Sequence, residues 1–274
     1  MKHLSRSYIA VILAILYIPI LTLVLFSFNA SESTANFTGF SLDWYIKLFS
    51  DEAAFIALRN TIILAVSSAL LSTVIGTAAA EGIYKMRTKW FKTVVTSITN
   101  VPMMNPDIVT GVSFMLFFAA VVGIFKIADY DSIGFFAMLI AHTTFCLPYV
   151  ILNVLPRIQE LGGSLTEAAL DLGCTPAQAF FKVKLPNIMP GVISGAVMAF
   201  TLSLDDFVIS YFVSPSNFQT LPLLIYSMTK KTVKPDMYAL STLIIVTVFT
   251  LLIISNIKSF KKADKHKRKG GKKA

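Results

Sequence analysis

Three carboxylates lie in apolar surroundings. Asp205 and Asp206 fall in Ser203-Leu-Asp-Asp206, inside the apolar run Met189–Val213, and Asp107 follows Pro106 at the start of the run Ile108–Phe125. A charge at a helix centre in the bilayer costs at least ~2.5–3.5 kcal/mol on insertion scales, so such groups face protein or water. The pair is about 24 Å of helix beyond Met189, in the outer half of its run. Capping is not expected inside an apolar run, which leaves a functional reading for the pair. Adjacent helical residues point about 100° apart, so one of the two faces a pathway, and the sequence does not say which. Asp107 keeps two readings: an acid in a first turn beside the capping residue Asn105, where the helix dipole favours it, or a pathway contact. The six apolar runs of the chain contain no Lys or Arg. The carboxylates therefore call for a cation from elsewhere, and a cationic passenger would supply it. Phe200, Phe207, Tyr211 and Phe212 could offer aromatic faces to ammonium and methylene groups alike. His142, the one imidazole in these runs, is read as hydrogen-bonded within the bundle.

Other chemistry is missing. The chain has no G-x-x-x-x-G-K-[S/T], so it carries no P-loop for ATP. No nucleophile–base or metal-ligand constellation is present. Cys146 and Cys174, 28 positions apart, have neither disulfide-framework nor zinc spacing. These residues describe a passage rather than a catalyst, with no metal and no cofactor expected.

The elements that must position them are membrane helices. Of the 274 residues 55% are hydrophobic and 14% charged, with a mean hydropathy of +0.71. Soluble domains carry about 25% charged residues, so a soluble enzyme is excluded. The net charge of +9 is concentrated in a tail where nine Lys and Arg lie between Lys258 and Lys273. No nucleic-acid motif accompanies that tail, and it reads as a solvated topology signal able to attract anionic lipid. About 20 apolar residues cross the hydrocarbon core, and six runs qualify: Tyr8–Phe28, Thr61–Ala80, Ile108–Phe125, Gly134–Val154, Met189–Val213 and Tyr238–Asn256. The first is too long for a signal-peptide core and is read as an uncleaved span. With the N-terminus inside, 18 Lys and Arg fall on the cytoplasmic side and 6 outside, so both termini are expected in the cytoplasm. The outer Lys230–Lys234 cluster runs against that rule.

Three connections add detail. Phe40, Trp44, Tyr45 and Phe49 suggest an amphipathic helix in the outer segment Asn29–Asn60. Thr93–Phe125 is too long for one span, and Pro102 and Pro106 are expected to break it. The segment from Leu155 to Ile188 reads as two short helices. Ser164 and Glu167 fit a capping box, Gly173 a left-handed stop, and Thr175-Pro-Ala-Gln178 a second capped start that must end before Pro186. Ala168, Ala169 and Leu172 are expected on an exposed surface that suits docking of another protein.

Glu167-Ala168-Ala169, three residues, Gly173, nine residues and Val183-Lys184-Leu185-Pro186 resemble the EAA loop of ABC-importer permeases, with Val183 in place of Ile as the sole departure. The resemblance extends over almost the whole chain. Within that superfamily, Asn105-Pro-Asp-Ile-Val109, Phe145-Cys-Leu-Pro148, Ser203-Leu-Asp-Asp206 and Thr220-Leu-Pro-Leu-Leu-Ile-Tyr226 are similar to the spermidine/putrescine permeases, on the side of the second of their two membrane subunits.

The resemblance implies an all-α, polytopic membrane protein with the six-helix type I importer permease fold. It implies residues 1–58 as a first span with an outer loop, 59–256 as the transport domain with its coupling loop at 157–187, and 257–274 as a basic tail. It implies a non-enzymatic subunit in a bacterial plasma membrane, forming half of a polyamine path. The implied partners are a second permease subunit, two cytoplasmic ATPase subunits, an outer polyamine-binding protein and membrane lipid, with no nucleic acid. Ser164, Glu167, Ala168, Ala169, Gly173, Leu185 and Pro186 would couple to the ATPases, and Asp107, Asp205 and Asp206 would line the path. The alternatives are an importer subunit for another small cationic or polar solute, or a self-sufficient cation- or proton-coupled carrier. The carrier reading finds no support in a convincing internal repeat.

Overall fold

The computed structural model describes residues 2–31, 36–125, 131, 133–230, 237–243, 245–247 and 249–250. Lys126, residues 231–234 of the dissenting basic cluster, residues 251–256 of the sixth run and the tail 257–274 lie outside the described residues. The described chain is helical, with α1 Lys2–Phe26, α2 Asp43–Ser50, α3 Glu52–Lys85, α4 Lys89–Met104, α5 Asp107–Phe125, α6 Gly134–Leu161, α7 Ser164–Asp171, α8 Pro176–Gln178, α9 Leu185–Asp205, α10 Val208–Val213 and α11 Leu221–Thr229. Glu52–Lys85, Asp107–Phe125, Gly134–Leu161 and Pro176–Asp205 are long and apolar enough to cross a membrane. The first and last expected spans overlap the apolar helical stretches Val11–Phe26, which is part of α1, and Met237–Thr247.

The chain divides into two compact units, residues 1–57 with 223–274, and residues 58–222. In the first, Asn29 organises the turn after α1. Its side-chain amide donates to the Asn36 carbonyl (2.9 Å), and its Oδ1 accepts from the Thr38 amide (2.9 Å). Its own carbonyl accepts from the Trp44 indole (2.6 Å). The expected outer helix is α2, shorter than the aromatic spacing suggested. Trp44 and Tyr45 belong to it, whereas Phe40 precedes it in a bridge with Asn29 and stacks on Phe28 at 5.2 Å.

In the second unit α6 is the central element, packed on α9, α10 and α4. Met138, Ala141, Cys146, Val150, Val154 and Ile158 recur every three to five positions, and all are buried against residues such as Leu64 and Ala80 of α3 and Ile188 and Ala199 of α9. Small residues set the helix spacing, since apolar burial gives no preference for helix over lipid and close backbone approach must supply the contact. A Cβ at Gly76 of α3 would stand 2.7 Å from Val150 Cγ1, and one at Gly195 of α9 3.2 Å from Val150 Cα. Val150 is thus gripped from both sides. By contrast, α5 is apolar all round and largely exposed, as a lipid- or partner-facing helix should be.

Two expected breaks fall elsewhere. Pro102 sits inside α4, and the chain turns at Asn105–Pro106, so one proline rather than two separates α4 from α5. The helix begun at Thr175 also does not end before Pro186. It continues through a π turn, Ala179–Lys184, into α9, with Pro186 in the first turn of α9. The Leu185 amide bonds back five residues to the Phe180 carbonyl. That wider winding carries the helix to a residue that has no N–H to donate.

Candidate functional site

The fifth apolar run is not one helix. α9 stops at Asp205, Asp206 is extended (φ −63°, ψ 123°), and α10 restarts at Val208. The break exposes the first amides of a new helix, which need acceptors. Asp206 supplies them: its Oδ2 accepts from the Ser210 amide at 2.8 Å and its Oδ1 from the Ile209 amide at 3.3 Å. The expectation that this pair does no capping is therefore corrected at Asp206. Free amides and the positive end of the helix dipole let a carboxylate remain inside an apolar run.

His142 meets the same carboxylate. Its Nε2 lies 3.5 Å from Asp206 Oδ2 and 3.1 Å from Ser210 Oγ, and its Nδ1 is 2.8 Å from Ser203 Oγ. Ser68 of α3 donates in turn to Ser203 at 2.8 Å. One proton arrangement satisfies the row, with Ser203 donating to Nδ1 and Nε2–H directed at Ser210 and Asp206. All four partners of the carboxylate's network, His142, Ser68, Ser203 and Ser210, are buried. His142 is thus bonded within the bundle, and Asp206 has a partner from this chain that the count of Lys and Arg had left out.

Asp205, one residue earlier and the last of α9, is exposed. Close to it in sequence, the Phe207 and Tyr211 rings lie 5.5 Å apart, and Tyr211 is exposed. The other two aromatic candidates are occupied by packing. Phe200 and Phe212 lie against the core, and a Cβ on Gly111 of α5 would come within 2.7 Å of the Phe212 ring. Asp107 is the first residue of α5 and is exposed, in the turn where the dipole favours an acid.

The segment carrying the EAA pattern forms a compact corner. α7 begins at Ser164 with Gly163 as its N-cap and no side-chain cap bond, so the Ser164–Glu167 capping box is absent. Gly162, at φ 68°, ends α6 so sharply that the new helix starts one residue earlier than the pattern suggests, with the Glu167 amide bonded to the Gly163 carbonyl at 2.9 Å. Gly173 adopts φ 85°, as a left-handed stop requires, and the Cys174 amide reaches back to the Ala169 carbonyl at 3.1 Å. The second cap is present as expected. The Gln178 amide donates to Thr175 Oγ1 (3.3 Å), and the Thr175 amide donates to Gln178 Oε1 (3.2 Å).

Ala169 departs from its expected place. It is buried, in a helix that packs on the π turn holding the buried Ala179, while Glu167, Ala168, Leu170 and Leu172 are exposed. Neighbouring helical positions diverge by about 100°, so Ala168 and Ala169 cannot share one surface. Leu185 is half-buried and Pro186 exposed at the start of α9.

Sequence reasoning missed Glu81. Lys184, the last residue of the π turn, is buried with its Nζ 2.7 Å from Glu81 Oε2 and 4.5 Å from the Tyr84 ring centroid. Lys85 takes the other carboxylate oxygen at 3.2 Å. A signal existed: Glu81 is the only acid between Glu52 and Asp107, directly before the basic series Lys85, Arg87, Lys89, Lys92.

Residues 72–260 match the family described as binding-protein-dependent transport system inner membrane component. The chain is 38% identical over 254 residues to the spermidine/putrescine transport system permease protein PotC of Haemophilus influenzae, covering 93% of this chain and 95% of that protein. It is 39% identical over 233 residues to the putrescine transport system permease protein PotI of Escherichia coli, covering 85% of this chain and 82% of that one. Among solved structures it resembles a chain of a bacterial ABC transporter that imports the acidic polysaccharide alginate. The TM-score is 0.72 at 17% identity, over 95% of this chain and 98% of the other. At that identity the likeness concerns the fold.

Proposed function

The chain belongs to the family of binding-protein-dependent transport system inner membrane components, and on that premise we propose that it is one of two membrane subunits of an ATP-driven polyamine importer. The observation that carries this reading is the near full-length likeness to spermidine/putrescine and putrescine permeases. The transport domain, residues 59–256, contributes half of the path. Both termini lie in the cytoplasm of a bacterial cell, the α7–π segment faces two ATPase subunits, and an outer binding protein delivers the substrate.

The residues fit this work. A polyamine at neutral pH carries ammonium groups on a methylene chain. Asp205 offers an exposed carboxylate next in sequence to the Asp206–Phe207 break, with exposed Tyr211 one helical turn further on. An ammonium over an aromatic face gains ~0.5–2 kcal/mol, enough to guide a passing ion without trapping it. Asp107 provides a second exposed acid on the path. Asp206 supports the path indirectly by holding α10 in place. ATP-driven closure of the ATPase dimer moves the α7–π segment, whose exposed Glu167, Ala168 and Leu172 form its contact surface, and that movement rocks the spans between two states. Ser164, Gly173, Leu185 and Pro186 shape the corner that transmits it, and buried Ala169 holds it together. The chain itself makes and breaks no covalent bond.

The test is purification in mild detergent followed by reconstitution. An ATPase should accompany the chain, and spermidine with its binding protein should raise ATP hydrolysis and drive uptake into vesicles. Uptake of a labelled polyamine by the chain alone, driven by an ion gradient, would overturn the reading.

A further inference from the structure

We infer that Glu81 and Lys184 form a releasable latch through which movement of the α7–π segment reaches α3. The inference rests on the importer reading above and adds two positioning residues to it. α9 needs no latch, because the π turn runs into it without a break. α3 is about a hundred positions earlier in the chain and is gripped by side chains. Glu81, Tyr84 and Lys85 lie on one turn of α3, and the first two close around the Lys184 ammonium, the carboxylate at 2.7 Å and the ring at 4.5 Å.

Three features separate this contact from ordinary packing. First, a buried ion pair is a poor source of stability, since apolar residues of similar volume often do as well or better. Its known use is to fix a register or a switch. Second, Lys184 ends a π turn, a rare winding that recurs at functional sites. Third, Glu81 has two cations, because Lys85 holds Oε1 at 3.2 Å while remaining largely exposed itself. When Lys184 withdraws, Lys85 still neutralises the carboxylate. The contact can therefore open without leaving the carboxylate bare, provided the Lys184 ammonium moves out with its segment, as a two-state element allows.

The experiment uses the reconstituted complex and reads spermidine imported per ATP hydrolysed, together with complex yield and melting temperature. Glu81→Gln and Lys184→Met are each expected to lower that ratio about tenfold, within the range of ordinary coupling energies. Lys184→Arg, which keeps the charge and the ring contact, is expected to retain at least about half of the ratio. The double variant should be no worse than either single one, because the two residues act as a unit. If Glu81→Gln yields no complex, the comparison of Lys184→Met with Lys184→Arg decides. A wild-type ratio in Lys184→Met, or losses that track yield and melting temperature alone, would overturn the latch. A wild-type complex that shows no spermidine-stimulated ATP hydrolysis would instead overturn the importer reading on which the latch depends.

Discussion

Two neighbouring aspartates have different environments, and the difference is measurable. Asp206 accepts two amides of α10 and faces His142, whereas Asp205 is exposed one residue away. Removing a capping side chain costs ~0.5–2 kcal/mol, and here it also leaves His142 facing an emptied site. Asp206→Ala is therefore expected to lower the melting temperature of the purified complex, with loss of uptake following from the disturbed α10. Asp205→Asn should leave the melting temperature unchanged and reduce spermidine uptake about tenfold, since a passing ammonium loses a charged partner. Thermal unfolding and uptake measured on both variants check this. Equal melting temperatures for the two, or full uptake by Asp205→Asn, would remove the division of labour.

The elements that matter most are joined at corners, and Gly173 makes one of them. Its φ of 85° is left-handed, while a Cβ there would meet nothing within 4 Å. Any penalty on substitution is thus one of backbone conformation rather than space. A β-branched residue costs ~1 kcal/mol or more in that region, so Gly173→Val should re-aim α8 and the π turn relative to α7. ATP hydrolysis stimulated by the binding protein and uptake are expected to fall together, with the chain still inserted. Gly173→Asn, which tolerates the left-handed region better, should keep a larger share of both activities. If the valine variant matches wild type in stimulated hydrolysis, the corner transmits nothing.

At the scale of the whole molecule, orientation governs every functional statement. In the proposed orientation, which the distribution of 18 Lys and Arg against 6 favours, Ser164 is cytoplasmic and Lys231 is outside. In a background lacking Cys146 and Cys174, a single cysteine in place of Lys231 should react with an impermeant maleimide added to intact cells. One in place of Ser164, exposed at the start of α7, should react only after the cells are opened. Labelling of position 164 from outside would invert the chain and place the proposed ATPase contact on the wrong side.

The sequence by itself determined the class, the apolar helices, the second capping box at Thr175–Gln178 and the left-handed Gly173. Each depends on local rules: apolar run length, hydrogen bonds within four residues, and the absence of a Cβ. Tertiary structure decided the rest, because it depends on which distant residues meet. The break at Asp206 was hidden because an isolated apolar run gives no hint that His142, sixty-four positions earlier, stands opposite the carboxylate. Ala169 was expected outside because the surface that covers it, the π turn, forms only when the chain winds past Pro186 in an unusual register. The Glu81–Lys184 pair joins two basic-flanked segments that each read as topology signals alone. Only packing around α6 brings them within 2.7 Å, and a buried charge takes its meaning from the partner that neutralises it.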